Sequence, residues 1–171
     1  QLADWHQKYS DQLSMSVNLS VQQLLDPQLP SLIERHLDLN NLPAEALELE
    51  ITETAMLHNT EQIRLNLEKI TVMGVAISLD DFGSGYSSLT HVKNFPIDVI
   101  KIDQSFVKGI VQSQYDQSIV NSCIALSKPL GIKTVAEGVE EKAQIDYLRE
   151  MGCDYIQGFY VAKPLEADRA S

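Results

Sequence analysis

Short runs of β-branched and apolar residues alternate along this chain with longer segments of helical periodicity, and this alternation constrains the fold more than any other feature. Six runs are predicted to be strands: Met15–Leu19, Leu47–Ile51, Val75–Leu79, Val99–Ile102, Lys133–Ala136 and Tyr155–Ile156. Helices are predicted between them at Gln22–Leu37, Thr60–Met73, Gln117–Leu130 and Glu141–Met151, with a shorter one near Ser87–Val92. Repeated strand–helix units predict an α/β fold with a parallel sheet.

Charge and composition narrow the class of partner. The 171 residues suit a single domain, and 13 Lys plus Arg against 24 Asp plus Glu give a net charge of −11. A chain this acidic does not bind a DNA or RNA polymer by neutralising its backbone. No apolar run approaches the roughly 20 residues that cross a bilayer. The two cysteines, Cys123 and Cys153, form no CxxC pair, so we expect a reducing, cytoplasmic location.

Polar residues stand at the carboxyl end of every predicted strand. Taken singly, any of them could be a strand-end residue whose hydrogen bonds are satisfied by a loop. Carboxyl ends of parallel strands lie on one rim, where α/β proteins bind ligands, so together they indicate a functional site. Successive positions are separated by 32, 30, 21, 36 and 20 residues, the size of a βα unit; they are Asn18, Glu50, Asp80 with Asp81, Lys101, Glu137 and Gln157.

The acidic members of this set predict a metal centre. Glu50, Asp80, Asp81 and Glu137 would repel one another on a single rim unless a cation neutralised them. Oxygen donors without His or Cys favour Mg²⁺ or Mn²⁺. The adjacent aspartates could each hold one ion of a pair, an arrangement that suits phosphodiester hydrolysis, and Lys101 would add a fixed positive charge.

The motifs around these residues resemble the EAL domain family, the bacterial cyclic di-GMP phosphodiesterases, over nearly the whole chain. The most specific block is the ten-residue run that begins at Asp80. In order, the matching blocks are Ser16–Ser20, Leu49–Glu53, Asp80–Leu89, Ile100–Asp103, Val135–Glu140, Gln157–Phe159 and Lys163–Pro164.

The resemblance implies Mg²⁺- or Mn²⁺-dependent hydrolysis of cyclic di-GMP to linear pGpG. It assigns a role to ten of the residues in these blocks, and a substrate contact to one more, Pro164. Asn18, Glu50 and Asp80 would ligate a first ion and Asp81 a second, with Asp103 and Glu137 at further metal or water contacts. Lys101 would assist the catalytic water, Glu53 and Glu140 would hold the site and its loop in shape, and Gln157 would position water or substrate.

The family fold is a TIM-barrel-like (β/α)₈ barrel, of which about six βα units are recognisable here. The Glu-Ala-Leu that gives the family its name lies on a strand well before the Asn18 block, whereas Glu45-Ala46-Leu47 follows that block and is read as coincidence. We therefore expect residues 1–171 to form a partial EAL domain that lacks its first strands.

The resemblance also implies partners. We expect a homodimer through the loop at residues 82–95 and fusion to sensory or cyclase domains. The alternative function is a binding module that senses cyclic di-GMP without cutting it, as degenerate EAL domains do. Degenerate members typically lose metal ligands, whereas Asn18, Glu50, Asp80, Asp81 and Glu137 are all present here, which favours the enzyme.

Overall fold

The computed structural model describes residues 1–10, 12–57, 60–83 and 95–167. This part of the chain divides into two compact units, one formed by residues 1–77 with 95–96 and 165–167, the other by residues 78–83 and 97–164. All strand pairs recorded within each unit are parallel, and helices connect the paired strands wherever the connection lies within the described residues, which confirms the predicted α/β class.

In the first unit, two parallel strands pack against amphipathic helices. Strand β1 pairs with β2 so that Asn18 lies beside Glu50. The core of this unit is built from leucines and isoleucines of β2 and the helices, among them Leu24, Leu49, Ile63 and Leu67. Its elements are α1 (Leu2–Lys8), β1 (Met15–Leu19), α2 (Val21–Leu24), α3 (Leu29–Leu39), a 3₁₀ turn (Ala44–Ala46), β2 (Leu47–Thr52), α4 (Glu53–Leu57) and α5 (Glu61–Val72).

The second unit holds strands paired in sequence order, with β4 beside β3, β5 beside β4 and β6 beside β5. Ile100, Ile102, Ala136 and Leu148 are among its fully buried residues. Its elements are β3 (Ala76–Phe82), which begins in the first unit, β4 (Val99–Ile102), α6 (Gln104–Gly109), α7 (Gln114–Leu130), β5 (Lys133–Ala136), α8 (Lys142–Met151) and β6 (Tyr155–Ile156).

The predicted helix Gln22–Leu37 is wrong, because two helices, α2 and α3, occupy this stretch. Asp26 and Pro27 form the break, where the Asp26 carboxylate accepts a hydrogen bond from the Gln28 amide at 2.9 Å. The fully buried Asn66 side chain then donates to the carbonyls of Leu24 and Asp26, each at 2.8 Å. These bonds satisfy carbonyls that a continuous helix would have used itself.

Other boundaries shift by a few residues, and three short helices were not predicted as elements. Thr60 is the N-cap of α5, as predicted, and its hydroxyl accepts from the Ile63 amide at 3.3 Å. Helix α7 begins three residues earlier than predicted, and Glu141 is the N-cap of α8 rather than its first residue. The unpredicted helices are α1, α4 and α6. The helix predicted near residues 87–92 and most of the 82–95 loop lie outside the described residues.

Within the described ranges, no helix has both the length and the hydrophobicity that a membrane span requires.

Candidate active site

The first unit carries three of the predicted site residues. Asn18 on β1 and Glu50 on β2 are directly paired in the strand register, so their side chains project from the same position along the two strands. Glu53 is the first residue of α4 and is only 9% exposed. Among the described residues, neither of its carboxylate oxygens has a hydrogen-bond partner.

The second unit brings three carboxylates together. Asp80 and Asp81 lie at the end of β3, and Glu137 follows β5. One carboxylate oxygen from each of these residues lies within 4.8 Å of the others. Hard anionic oxygens in this number and proximity are a donor set for Mg²⁺ or Mn²⁺, so these residues fit the divalent metal that the sequence predicts.

A local departure from strand geometry lets adjacent aspartates converge. Side chains of neighbouring strand residues normally point to opposite faces. Here the β3–β4 register shifts between Leu79 and Phe82, and Asp81 adopts a left-handed backbone conformation with φ of 56°. Its amide donates to the Asp80 carboxylate at 3.1 Å. A bulge of this kind re-aims a side chain at the end of a strand, and aspartate tolerates the left-handed region better than most residues.

Lys101 on β4 supplies positive charge to this cluster. Its ammonium lies 2.7 Å from Oε1 of Glu137 and 3.4 Å from Oδ1 of Asp80. The residue is only 5% exposed, so these interactions are weakly screened by water. Lys101 therefore holds two of the carboxylates in place from the interior side of the strand ends.

The pKa values of Asp81 and its neighbour Asp103 are shifted in opposite directions. Burial, a hydrogen bond with Asp103 and the negative charges of Asp80, Asp103 and Glu137 raise the pKa of Asp81 to about 6. Burial also opposes ionisation of Asp103, but hydrogen bonds from Ser105 outweigh it and lower the pKa of Asp103 below its ordinary value. One of these bonds is the N-cap of α6, in which the Ser105 amide donates to Asp103 at 2.8 Å. As the pH falls, Asp81 is therefore the first of the two carboxyls to take up a proton.

A pocket of about 290 Å³ opens beside the carboxylate cluster. Glu137 belongs to both, because it lines the pocket as well as contributing to the cluster. The predicted residues Gln157 and Glu140 also line it, whereas Pro164 does not. The full lining is Gln104, Lys108, Glu137, Gly138, Glu140, Gln157, Gly158 and Phe159.

The backbone of Gln157 is fixed to the loop that carries Glu137. Its amide donates to the Ala136 carbonyl at 2.8 Å, and its carbonyl accepts from the Val139 amide at 3.1 Å. These two bonds set the position of Gln157 relative to Glu137.

Three of the lining residues were not predicted as site residues from the sequence: Gln104, Lys108 and Phe159. Gln104 and Lys108 lie one turn apart on α6, a six-residue helix too short to give a clear periodic signal. The separation of four residues on one helix would have placed them on one face once the helix was known.

Comparison with known proteins assigns the family. The sequence matches the EAL domain family over residues 1–164. It is 39% identical over 165 residues to the signaling protein YkoW of Bacillus subtilis, covering 96% of this chain and 20% of that protein. It is 38% identical over 164 residues to the cyclic di-GMP phosphodiesterase NbdA of Pseudomonas aeruginosa, covering 96% of this chain and 21% of that protein. The chain thus spans about a fifth of the length of these curated relatives.

A solved structure of the MucR phosphodiesterase of Pseudomonas aeruginosa, in complex with cyclic di-GMP, superposes with a TM-score of 0.92 at 35% identity. The match covers 99% of this chain and 69% of that one. This similarity confirms the TIM-barrel-like fold that the sequence motifs implied. The chain therefore belongs to the EAL domain family.

Proposed function

We propose that this chain hydrolyses cyclic di-GMP to linear pGpG with the help of a divalent cation, Mg²⁺ or Mn²⁺. The observation that carries the proposal is the convergence of Asp80, Asp81 and Glu137 around Lys101 at the strand ends. The names of its relatives support the substrate, since NbdA is called a cyclic di-GMP phosphodiesterase and the MucR structure holds cyclic di-GMP.

In the reaction, the oxygen of a water molecule bonds to phosphorus and one ester P–O bond breaks. The leaving ribose oxygen takes up a proton, so the ring opens to a dinucleotide with one terminal phosphate. Asp80, Asp81 and Glu137 would hold one or two divalent ions, which supply Lewis acidity and neutralise phosphate charge when bound. Ligand roles for Asn18 and Glu50, and a contact of Asp103 with metal or water, stay predictions from the sequence.

The chain's own residues supply orientation and charge. Lys101 fixes the Glu137 carboxylate at 2.7 Å and adds a buried positive charge where negative charge builds up on the phosphate oxygens. Gln157 and Glu140 border the adjacent pocket, where they would orient the part of the substrate that does not react. The roles of Glu53 in supporting the site and of Pro164 in contacting substrate also remain predictions.

The wider context is a prediction as well. Fusion to sensory or cyclase domains agrees with the name of the relative MucR, a bifunctional diguanylate cyclase and cyclic di-GMP phosphodiesterase. Dimerisation through residues 82–95 and a cytoplasmic location stay predictions from the sequence.

The test is conversion of cyclic di-GMP to pGpG, followed by liquid chromatography with and without Mg²⁺ or Mn²⁺. Asp80→Asn should lower the rate at least about 100-fold, because it removes a ligand charge from the cluster. The matched control is Asp146→Asn, which removes an exposed carboxylate that pairs with Lys142 on α8 and should leave the rate unchanged. Metal-dependent binding without product would instead favour the non-hydrolysing sensor. If the chain neither binds cyclic di-GMP nor forms product, both functions are contradicted.

A further inference from the structure

Lys108 is an exposed cation in the pocket beside the carboxylate cluster, and the proposed chemistry does not use it. It lies one helical turn after Gln104 on α6 and faces the loops that carry Glu137, Glu140 and Gln157. Among the described residues, no carboxylate lies within ion-pair distance of its ammonium, and the longer-range attraction between Lys108 and Asp103 contributes to the lowered pKa of Asp103. The Lys108 side chain can therefore turn its three N–H donors toward a ligand.

The pocket has the size of a subsite. At about 290 Å³ it falls at the lower limit of small-molecule sites, which suits one ring system rather than a whole cyclic dinucleotide. Phe159, which is 58% exposed, contributes an aromatic ring to the lining, and the Lys163 ammonium lies 5.9 Å from the centroid of this ring. Planar bases stack on exposed aromatic rings of this kind.

The charges of the lining match a guanine base better than a phosphate. The Glu140 carboxylate would repel a phosphate, whereas it can accept hydrogen bonds from N1–H and the N2 amino group of guanine. Lys108 supplies the complementary donor for O6 and N7, the two acceptors on the other edge of guanine. Adenine carries an amino group in place of O6, so it would present a donor to the lysine donor.

We propose that Lys108 is a specificity-determining residue that donates to O6 and N7 of one guanine of the substrate, seated in the pocket between α6 and the loops after β5 and β6. The assignment rests on the proposed function, because it takes cyclic di-GMP as the ligand. It adds a contact that distinguishes guanine from adenine, at a residue outside both the acidic cluster and the EAL family motifs.

The test compares Lys108→Met with the wild-type chain by calorimetric titration of three ligands: cyclic di-GMP, cyclic di-IMP and cyclic di-AMP. Ca²⁺ replaces Mg²⁺, and chromatography checks that each ligand is recovered intact. Methionine keeps the length and the apolar stem of lysine while removing the charge. The matched control is Lys142→Met, which removes the same charge from an exposed position on α8.

Lys108→Met should weaken binding of cyclic di-GMP and of cyclic di-IMP, both of which have O6 and N7, by about tenfold, the value of a charged hydrogen bond to a base edge. Binding of cyclic di-AMP should weaken less, because adenine offers N7 but not O6, so the preference for guanine falls. In turnover with Mg²⁺, KM should rise about as much while kcat stays near the wild-type value. Lys142→Met should change none of these quantities.

Equal weakening of all three ligands would overturn the inference, because it would place the ammonium on a phosphate. Unchanged binding of cyclic di-GMP in a folded Lys108→Met protein would also overturn it. The proposed function is judged separately, on the wild-type chain. If that chain neither binds nor hydrolyses cyclic di-GMP, the proposed function fails whatever the variant does.

Discussion

Asp81 combines two properties at one residue, a carboxylate in the acidic cluster and a left-handed backbone that aims it there. These properties can be separated by substitution. Asp81→Asn keeps a side chain that tolerates positive φ, so the melting temperature without metal should stay at or above that of the wild type, while metal-dependent hydrolysis is lost. Asp81→Val should lose hydrolysis and also about 1–2 kcal/mol of stability, because a β-branched residue is strained at φ of 56°.

Thermal unfolding of both variants in EDTA measures the backbone effect, and pGpG formation measures the carboxylate effect. Equal melting temperatures for the Asn and Val variants would contradict the assigned backbone role.

The raised pKa of Asp81 makes the metal-free protein sensitive to pH. In the folded state this carboxyl binds its proton more tightly than in the unfolded chain, with a pKa of about 6 against 3.8. Its contribution to stability is therefore fully present below the unfolded pKa and is lost as the pH rises through about 6. In EDTA, the wild type should therefore lose stability between about pH 3.8 and pH 6, whereas Asp81→Asn has no carboxyl at this position. The melting temperature of the variant relative to the wild type should rise over this pH range and level off above it. A relative stability that falls with rising pH would contradict the assignment.

Lys101 is the internal counter-charge of the cluster. Lys101→Met would leave the Glu137 and Asp80 carboxylates without their nearest cation, at a cost of about 3 kcal/mol in the metal-free protein. A divalent ion can replace that missing charge, so Mg²⁺ should raise the melting temperature of Lys101→Met by more than it raises that of the wild type. Differential scanning fluorimetry with and without Mg²⁺ tests this. Equal Mg²⁺ shifts would mean that Lys101 and the ion do not neutralise the same carboxylates.

At the scale of elements, the loops after β5 and β6 are held together by a close backbone approach at Gly158. A Cβ at this position would overlap the backbone oxygen and nitrogen of Val139. Backbone atoms cannot turn away as a side chain can, so Gly158→Ala should cost about 2 kcal/mol or more and displace Gln157.

Gly131→Ala is the matched control for this prediction. Gly131 has φ of 71°, but no described atom lies within 4 Å of its would-be Cβ, so the variant should lose only about 1 kcal/mol. Urea denaturation of both variants measures the difference, and equal losses would contradict the close-approach argument.

The elements that the sequence predicts well are those with a strong local pattern. All six strands and the Thr60 cap are confirmed, because alternating β-rich runs and capping residues are local signals. The break between α2 and α3 depends on Asn66, which is about 40 residues away in the sequence, so local periodicity does not reveal it.

The candidate site likewise has features that the sequence predicts and features that it does not. The strand-end carboxylates are visible in the sequence as residues, but the bulge that turns Asp81 toward Glu137 is not, because a register shift leaves no mark in the hydrophobic pattern. Lys108 was missed since it reads as an ordinary solvent-exposed lysine until α6 places it in the pocket.

At the scale of the whole molecule, a net charge of −11 accompanies a site proposed to bind an anionic ligand. Long-range attraction cannot recruit such a ligand, so binding depends on local cations, on bound divalent ions and on contacts within the pocket. Lys101 and Lys108 are two such cations at the strand-end rim. An extended polyanion would need many phosphate contacts along a basic surface. A chain with 24 acidic and 13 basic residues does not favour such a surface.

Duplex DNA or structured RNA in large excess should therefore leave the KM for cyclic di-GMP unchanged within about a factor of two at roughly 0.1 M salt. The product pGpG, which shares the guanine and phosphate groups of the substrate, should compete. Initial rates would be measured with Mg²⁺ in excess over all nucleotide phosphates, so that the polymer does not act by removing the metal. Competitive inhibition by the polymer that disappears at higher salt would reveal a basic surface and contradict the charge argument. Inhibition by pGpG alone would localise recognition to the strand-end site.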